Sequence, residues 1–415
     1  MSLRNIVCTL VFCLSISGPI MLFIGQNRIG LDLPAWLTNE DAIYLAGVKN
    51  NPDIAGMLSP ASFVDGTLQS GVESEVGNYV PCKAWAQLAN AKIQRTAIAL
   101  SNEMFDWDAY PTFYGSKYAY VPKDDVLLGL SGKATHSEIR RIEEAKNAYN
   151  EFAERHPNLD FAMYCVMSSD YLTDSPISDY KTHPMNYAVF SASFLDQLKN
   201  YKVISGHVDY EEYKDGWFST DHHWNIDGAY EAYVQIVSSL DWGKGDIVLK
   251  GDKLVASHNL FRGSLSRSSL YDREKGDVFF DYQFDTPQYS LVIDNAPGGS
   301  TQLSNTSSLL DGERDLNDYA NQYTSRYHPN WGELIINNDD NLERDGALLL
   351  VADSYSNCME RLLAAHFPKT YVYDARYNHY TLDEYIEKHP DIVHVLFLSN
   401  PGSLLRDASL EALGE

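Results

Sequence analysis

The sequence predicts an α/β protein with a parallel sheet, and its last 70 residues show this most clearly. Strands are predicted over 347–352, 370–373 and 392–398, and helices over 356–366 and 382–388 lie between them. Strands that alternate with helices at short intervals form parallel sheets with right-handed crossovers. The composition agrees, because 44% of the 415 residues are hydrophobic, which is enough for a large core.

The rest of the chain divides into a lead-in and one domain. Helices are predicted over 83–99, 136–155, 191–200 and 226–240, a strand or hairpin over 112–122 and a buried strand over 159–167. Scattered Pro, Gly, Asn and Asp over 27–80 indicate an irregular stalk before a catalytic domain over 81–415. Short β-prone pieces over 246–340 predict a β-rich insertion in that domain, and long decorated loops are the alternative.

The N-terminal segment predicts export. Residues 6–25 carry no charge, and about 20 such residues can cross a bilayer as a helix. We therefore predict a signal anchor over 1–26 with its amino end in the cytoplasm and the domain outside the cell membrane. Cleavage of this segment, which would make the protein secreted, is the alternative.

Charge and cysteines exclude some functions. The formal net charge of −25 argues against a nucleic-acid surface, which needs clustered Lys and Arg. Outside the apolar segment stand Cys82, Cys165 and Cys358, which we interpret as single buried thiols; one disulfide is the alternative. Their spacing does not indicate zinc.

Ser354 lies where a reactive serine belongs in such a fold. It follows the predicted strand 347–352 and precedes the predicted helix 356–366. At a strand-to-helix turn a serine hydroxyl is exposed, and its backbone N–H lies near a helix N-terminus, where negative charge is favoured. Arg376 and Asn400 follow the next two strands, and ligands collect at this edge of a parallel sheet.

An acid and an imidazole for this serine occur earlier, in Asp221-His222-His223-Trp224. A hydroxyl needs a base to take its proton, and an imidazole does this near pH 7 when a carboxylate fixes its tautomer. Side chains alternate in an extended segment, so Asp221 and His223 are expected on one face. We predict Ser354 as nucleophile, His223 as base and Asp221 as its partner. His222 would be structural or line the pocket, and Trp224 would pack behind the imidazole and help to hold the loop.

The tetrahedral intermediate of acyl transfer needs N–H donors aimed at its oxyanion. The backbone N–H of Ser354 is one candidate, and the side-chain amide of Asn400 is another. Arg376 and Asn378, after the second of the three strands, are further candidates. Tyr355, beside the serine, is predicted to line the same pocket.

Other roles stay open for these residues. A serine or aspartate at a strand end commonly caps the next helix, as Ser354 or Asp353 could do. Arg376 could pair with Asp374 alone. An Asp-His-His cluster could bind zinc or iron, but no second cluster with ligand spacing accompanies it. No metal and no organic cofactor is expected.

The segment 216–229, GWFSTDHHWNIDGA, resembles the signature of the DHHW protein family, relatives of the alginate O-acetyltransferases within the SGNH hydrolase-like group. Ser354, in DSYSN, matches the nucleophile segment of that family. The resemblance implies a flavodoxin-like, three-layer α/β domain with a Ser-His-Asp site. Asp221 and His223 precede Ser354, and Asn400 follows it, so the resemblance also implies a circular permutation of the typical SGNH order.

The resemblance implies an enzyme that transfers or removes acetyl groups on an extracellular polysaccharide or a cell-wall glycan. It also implies a membrane O-acyltransferase as the partner that delivers the acetyl donor. A purely hydrolytic esterase is a second interpretation, and a glycan-binding scaffold without turnover is a third. One position departs from the SGNH pattern, because residues 376–378 replace the usual Gly after the second strand.

Overall fold

The structure is a computed structural model of the chain. It describes residues 54–64, 66–79, 83–130, 136–178, 186–242, 246–271, 276–294, 301–303, 321–340 and 346–414, with scattered positions between 17 and 31. The chain divides into two compact units. The first comprises Met1–Ser116 with Ser266–Arg273, and the second comprises Lys117–Leu265 with Glu274–Glu415.

The first unit is mainly helical. It contains α1 (Pro60–Val64), α2 (Thr67–Tyr79), α3 (Lys83–Phe105) and the short strand β1 (Tyr110–Pro111). The prediction of an irregular segment over 27–80 is therefore wrong for α1 and α2. Gly71 and Gly77 lie within α2, and because glycine lowers helix propensity, they hid this helix from sequence analysis.

The predicted helix over 83–99 is confirmed as α3, which continues to Phe105. The predicted anchor over 1–26 falls almost wholly outside the described residues. Among the helices that the structure describes, none has both the length and the apolar composition needed to cross a membrane.

The second unit holds most of the regular structure. Its elements are β2 (Tyr118–Val121), β3 (Val126–Gly129), α4 (His136–Arg155), β4 (Asp160–Cys165), α5 (Tyr187–Ser193), β5 (Tyr201–Ile204), α6 (Tyr210–Gly216), α7 (Ile226–Ser239), β6 (Lys250–Phe261), β7 (Asp277–Phe284), β8 (Tyr289–Asp294), β9 (Thr301–Leu303), α9 (Gln322–Tyr327), β10 (Glu333–Asn338), β11 (Ala347–Ala352), α10 (Glu360–Ala364), β12 (Lys369–Tyr373), α11 (Leu382–Lys388), β13 (Ile392–Ser399), α12 (Pro401–Leu404) and α13 (Asp407–Ala412). Helix α8 (Ser264–Ser269) crosses the boundary between the two ranges.

Among the described strands, eight form the central sheet in the order β5-β4-β13-β11-β12-β10-β8-β9. Neighbours from β5 to β12 run parallel. From β12 to β9 they run antiparallel. The predicted parallel sheet is confirmed for five strands, and the other edge makes the sheet mixed. The hydrophobic run of β11 is buried, as expected for a strand covered on both faces.

The order of the parallel strands carries a further pattern. If β11, β12, β13, β4 and β5 are numbered 1 to 5, they lie side by side in the order 2-1-3-4-5, which is that of flavodoxin-like sheets. The circular permutation stays a prediction, and this is the order that it requires. In such sheets ligands bind where the order reverses, which here is the carboxyl edge between β11 and β13.

Helices cover both faces of this sheet. On one face, Tyr149 of α4 packs edge-on against Phe397 of β13 with ring centroids 5.1 Å apart. On the other face, Leu396 of β13 lines a small cavity with Ile236 of α7 and Leu363 of α10. Leu396 and Phe397 are consecutive, so they point to opposite faces of the strand. The core of the second unit is therefore built in three layers.

The described residues of 246–340 include strands β6 to β10, which do not all belong to one sheet, and the insertion predicted there stays a prediction. Strands β6 and β7 pair with each other in a two-stranded ribbon. Strands β8, β9 and β10 instead extend the central sheet. Sequence periodicity does not show which strand an edge strand will pair with, and this explains the difference.

Two of the three cysteines outside the apolar segment are described. Cys165 and Cys358 are both free and buried, in line with their interpretation as single thiols. Burial raises the pKa of the Cys358 thiol to about 12 and that of Cys165 still further. Neither thiol is therefore a nucleophile at neutral pH.

Candidate active site

Three side chains meet at the carboxyl edge of the sheet. Ser354 follows β11, and Asp221 and His223 lie in the loop before α7. Nε2 of His223 lies 2.8 Å from Oγ of Ser354, and Nδ1 of His223 lies 2.6 Å from Oδ1 of Asp221. Both distances are those of hydrogen bonds. The structure thus brings together the three residues that the sequence analysis combined.

Asp221 is held by more than the imidazole. Its Oδ1 accepts the backbone N–H of His223 at 3.0 Å, and its Oδ2 accepts the backbone N–H of Ser264 at 2.6 Å. A Cβ at Gly263 would lie 2.3 Å from Asp221, so only glycine permits this approach. Burial tends to raise the pKa of Asp221, but the charges of His222 and His223 and the hydrogen bonds hold it well below its usual value. The carboxylate therefore stays ionised beside the imidazole.

The loop before α7 is fixed at both ends. Backbone N–H groups of Ser219 and Thr220 donate to the carboxylate of Asp277 on β7 at 3.0 and 2.8 Å. At the other end, the side chain of Asn225 caps α7 by accepting a backbone N–H of its first turn at 2.8 Å. These contacts hold the segment that carries Asp221 and His223 at both of its ends.

Three side chains next to Asp221, His223 and Ser354 link the loop before α7 to the turn after β11. His222 has a 47% exposed side chain, and its Nδ1 lies 2.6 Å from the hydroxyl of Ser264. Trp224 is buried and donates its indole N–H to the carbonyl of Tyr355 at 2.9 Å. Tyr355 donates its hydroxyl to the carbonyl of His222 at 2.6 Å. Tyr355 was predicted to line the pocket. Its side chain is 2% exposed, and its contacts with His222 and Trp224 hold the turn after β11 against the loop before α7.

The turn that carries Ser354 differs from the prediction. The helix predicted over 356–366 begins only at Glu360, and turns occupy 354–359. Oδ1 of Asp353 accepts the backbone N–H of Tyr355 at 3.0 Å, and the hydroxyl of Ser356 donates to the carbonyl of Asp353 at 3.1 Å; such bonds between side chains and backbone compete with the helical pattern. The helix N-terminus that was predicted beside Ser354 therefore lies at Glu360 instead.

Asn400, a predicted oxyanion donor, follows β13 and contacts Asp353. Its Nδ2 donates to Oδ2 of Asp353 at 2.9 Å and lies 3.2 Å from Oγ of Ser403. Its Oδ1 accepts the backbone N–H of Ser403 and so caps α12. Both N–H bonds of the amide are thus used in this structure. To serve an oxyanion, Asn400 has to release Asp353.

The other two predicted donors have structural partners as well. Arg376 forms a two-pronged ion pair with Asp374, at 2.8 Å from Nε and 2.5 Å from Nη2. This is the pairing that the sequence left open as an alternative. Asn378 donates to the carbonyl of Gly332 at 3.0 Å and accepts the backbone N–H of Tyr380.

Tyr323 was not predicted from the sequence, but it contacts both His223 and Ser354. Its ring is parallel to that of His223, with centroids 3.9 Å apart and an angle of 6° between the planes. Its hydroxyl donates to the backbone carbonyl of Ser354 at 2.9 Å. Tyr323 lies on the short helix α9, where no apolar period marks it as part of a site.

Asp221, His222 and His223 are also residue types that bind metal ions. Among the described residues, Asp221, His222 and His223 each offer a ligand atom within 4.8 Å of the others. However, Nδ1 of His223 bonds to Asp221, and Nδ1 of His222 bonds to the Ser264 hydroxyl. Both Nδ1 atoms are therefore engaged in hydrogen bonds in this structure.

Solved structures share this fold. PatB1 from Bacillus cereus, determined with a sulfonyl adduct, is 22% identical with a TM-score of 0.55, and the match covers 69% of this chain and 95% of that chain. A second structure of PatB1 from Bacillus cereus gives the same identity and TM-score, and the match covers 68% of this chain and 96% of that chain. A DHHW family protein from Eubacterium siraeum is 17% identical with a TM-score of 0.55, over 72% and 95%.

These likenesses establish the fold, a mixed α/β chain with a central, mostly parallel sheet. The resemblance to DHHW proteins that the sequence indicated is confirmed at the level of fold. No protein-family profile matches the sequence, and no curated protein matches it.

Proposed function

We propose that the protein is an exported, serine-dependent O-acetyltransferase or acetyl esterase that acts on an extracellular polysaccharide or a cell-wall glycan. The observation that carries the proposal is the hydrogen-bond chain from Asp221 through His223 to Ser354, with links of 2.6 and 2.8 Å. The acetyl group and the glycan rest on the resemblance of the segment 216–229 to the DHHW signature. The fold shared with PatB1 and a DHHW protein is consistent with both.

In the proposed first step, Oγ of Ser354 attacks the carbonyl carbon of an acetyl ester while its proton passes to Nε2 of His223. Asp221 stays ionised and stabilises the imidazolium that forms. The backbone N–H of Ser354 is the first proposed oxyanion donor, and Asn400 is the second candidate if it exchanges Asp353 for the oxyanion. His223 then returns the proton to the leaving alkoxide, which leaves acetyl-Ser354.

In the second step a hydroxyl of the glycan or a water molecule attacks acetyl-Ser354, and His223 again takes and returns the proton. Transfer and hydrolysis therefore share one acyl-enzyme. Product analysis with and without an oligosaccharide acceptor separates them, because only transfer yields an acetylated acceptor. An acetyl donor delivered by a membrane O-acyltransferase is part of the same proposal.

Replacement of the nucleophile tests the proposal. We expect Ser354→Ala to lower kcat for para-nitrophenyl acetate by about 10⁴-fold or more, because the Ser354 hydroxyl is the proposed nucleophile and bonds to Nε2 of His223. Ser356→Ala is the matched control, since Ser356 lies in the same turn but bonds to Glu360 and not to His223. Unchanged turnover in Ser354→Ala, with the fold intact by circular dichroism, rejects the proposed function.

A further inference from the structure

Tyr323 contacts both partners of the hydrogen bond between His223 and Ser354. Its ring stacks on the imidazole at 3.9 Å, and its hydroxyl holds the serine carbonyl at 2.9 Å. We propose that Tyr323 is a positioning residue for acyl transfer, which fixes the plane of the base and the backbone of the nucleophile relative to each other. This inference rests on the proposed function and adds a residue to it.

The sequence around Tyr323 holds it rigidly. Asn321 caps α9 by accepting a backbone N–H of the first turn at 3.1 Å. One turn along the helix, Arg326 pairs at 3.0 Å with Asp281, which is fully buried on β7. The ring of Tyr327 lies 5.0 Å from that of Tyr323. Tyr323 is therefore anchored by a helix that is itself bound to the core of the second unit.

The stacking adds to the two hydrogen bonds of the imidazole, at Nδ1 with Asp221 and at Nε2 with Ser354. Both bonds lie at the edge of the ring, so its faces are held only by the groups that pack against them. Tyr323 covers one face of the ring in parallel, His222 lies 3.9 Å away at an angle of 38°, and Tyr355 lies 5.2 Å away at 58°. Of these three rings, only Tyr323 lies flat on the imidazole, and it therefore opposes tilting of the ring plane.

The stacked ring also suits the charge that develops during the reaction. The face of an aromatic ring attracts a cation, so Tyr323 favours the imidazolium that His223 becomes when Ser354 gives up its proton. A displacement of about 1 Å between reacting groups can cost about 10²-fold in rate. Loss of the ring should therefore lower kcat more than it changes KM.

Two variants and a control on the same helix test the inference. We expect Tyr323→Leu, which removes the ring, to lower kcat for para-nitrophenyl acetate by about 10²-fold with KM within about threefold. Tyr323→Phe keeps the ring and loses the hydroxyl, with its bond to the Ser354 carbonyl and its contact with the Cys358 thiol, so we expect a loss of about fivefold. Tyr327→Phe is the control, because the Tyr327 hydroxyl has no hydrogen-bond partner among the described residues; its kcat should stay at the wild-type value.

The outcomes separate the inference from the proposed function when Ser354→Ala is measured alongside. Wild-type kcat in Tyr323→Leu with an inactive Ser354→Ala overturns the positioning role alone. Wild-type kcat in both overturns the proposed function and the inference with it. The positioning role is supported if kcat is lowest in Tyr323→Leu, intermediate in Tyr323→Phe and unchanged in Tyr327→Phe. If Tyr323→Leu loses its cooperative thermal unfolding, Tyr323→Phe decides, and wild-type kcat there counts against the role.

Discussion

Two buried carboxylates lie on either side of Ser354, and they differ in what they face. Asp221 is 3% exposed and meets imidazoles, whose charges help to hold its pKa well below the usual value. Asp353 is 5% exposed, and burial raises its pKa despite hydrogen bonds from Ser403, the Tyr355 backbone and Asn400. At similar burial the two pKa values thus shift in opposite directions. At Asp221 the interactions with His222, His223 and the Ser264 backbone outweigh desolvation, whereas at Asp353 desolvation outweighs the hydrogen bonds and the more distant charge of Arg376.

The difference separates two tasks. An ionised Asp221 can orient the imidazole and stabilise its charged form. Asp353 instead joins the ends of two strands, because it follows β11 and accepts the amide of Asn400 after β13 at 2.9 Å. We interpret the first carboxylate as part of the proton relay and the second as a clamp at the edge of the sheet.

Among the changes that test this comparison, the largest effect is expected from Asp221→Asn. An amide in place of the carboxylate holds His223 in the wrong tautomer and removes the charge that stabilises the imidazolium. We expect kcat/KM for an acetyl ester to fall by about 10³-fold or more. Asp353→Asn is the matched variant, with an expected loss of about tenfold, since it disturbs only the clamp. Equal losses in the two variants would erase the distinction between relay and clamp.

A smaller effect is expected from Asn400→Ala. The amide is already bonded to Asp353 and Ser403, so we expect a loss of about tenfold in kcat, below the 10²–10³-fold typical of an oxyanion donor. The losses of Asn400→Ala and Asp353→Asn should not add in the double variant, because both break one contact. A loss in the typical oxyanion range would instead show that Asn400 leaves Asp353 during turnover.

The smallest effect concerns stability and pH. The pKa of Asp221 is lower in the folded chain than in the unfolded chain, so its contribution to stability is full above about pH 4 and is lost as pH falls. The free energy of unfolding of Asp221→Asn should therefore decrease less than that of the wild type on acidification. Asp353, with a raised pKa, has the opposite sign and loses stability as pH rises from about 4. Urea unfolding of the wild type, Asp221→Asn and Asp353→Asn at several pH values measures how the free energy of unfolding depends on pH. If the three proteins show the same pH dependence, both predicted directions are wrong.

The three residues of the proposed proton relay could be predicted from the sequence, but the contacts around them could not. Asp221, His223 and Ser354 could be found because the motif is local and each residue type has a specific chemical role. Asn400 and Arg376 were correctly expected after strands, yet their partners depend on distances that a sequence does not contain. Tyr323 carried no sequence signal, because its role comes from a tertiary contact.

The fold shows the same division. The helices over 136–155 and 382–388 and the strand over 347–352 have the predicted bounds, since strong periodicity fixes them. The helix after Ser354 was predicted too early, because side-chain hydrogen bonds of the turn replaced its first helical bonds. The antiparallel edge of the sheet escaped prediction, because the pairing of edge strands is decided by the folded chain.

The central claim is that His223 activates Ser354, and covalent labelling tests it most directly. PatB1, which shares the fold, has been solved with a sulfonyl adduct, and activated serines react with sulfonyl fluorides. We predict that such a reagent modifies Ser354 in the wild type, as located by peptide mass spectrometry, and that His223→Ala abolishes the reaction. Modification of another residue, or an equal rate at Ser354 without His223, would contradict the account.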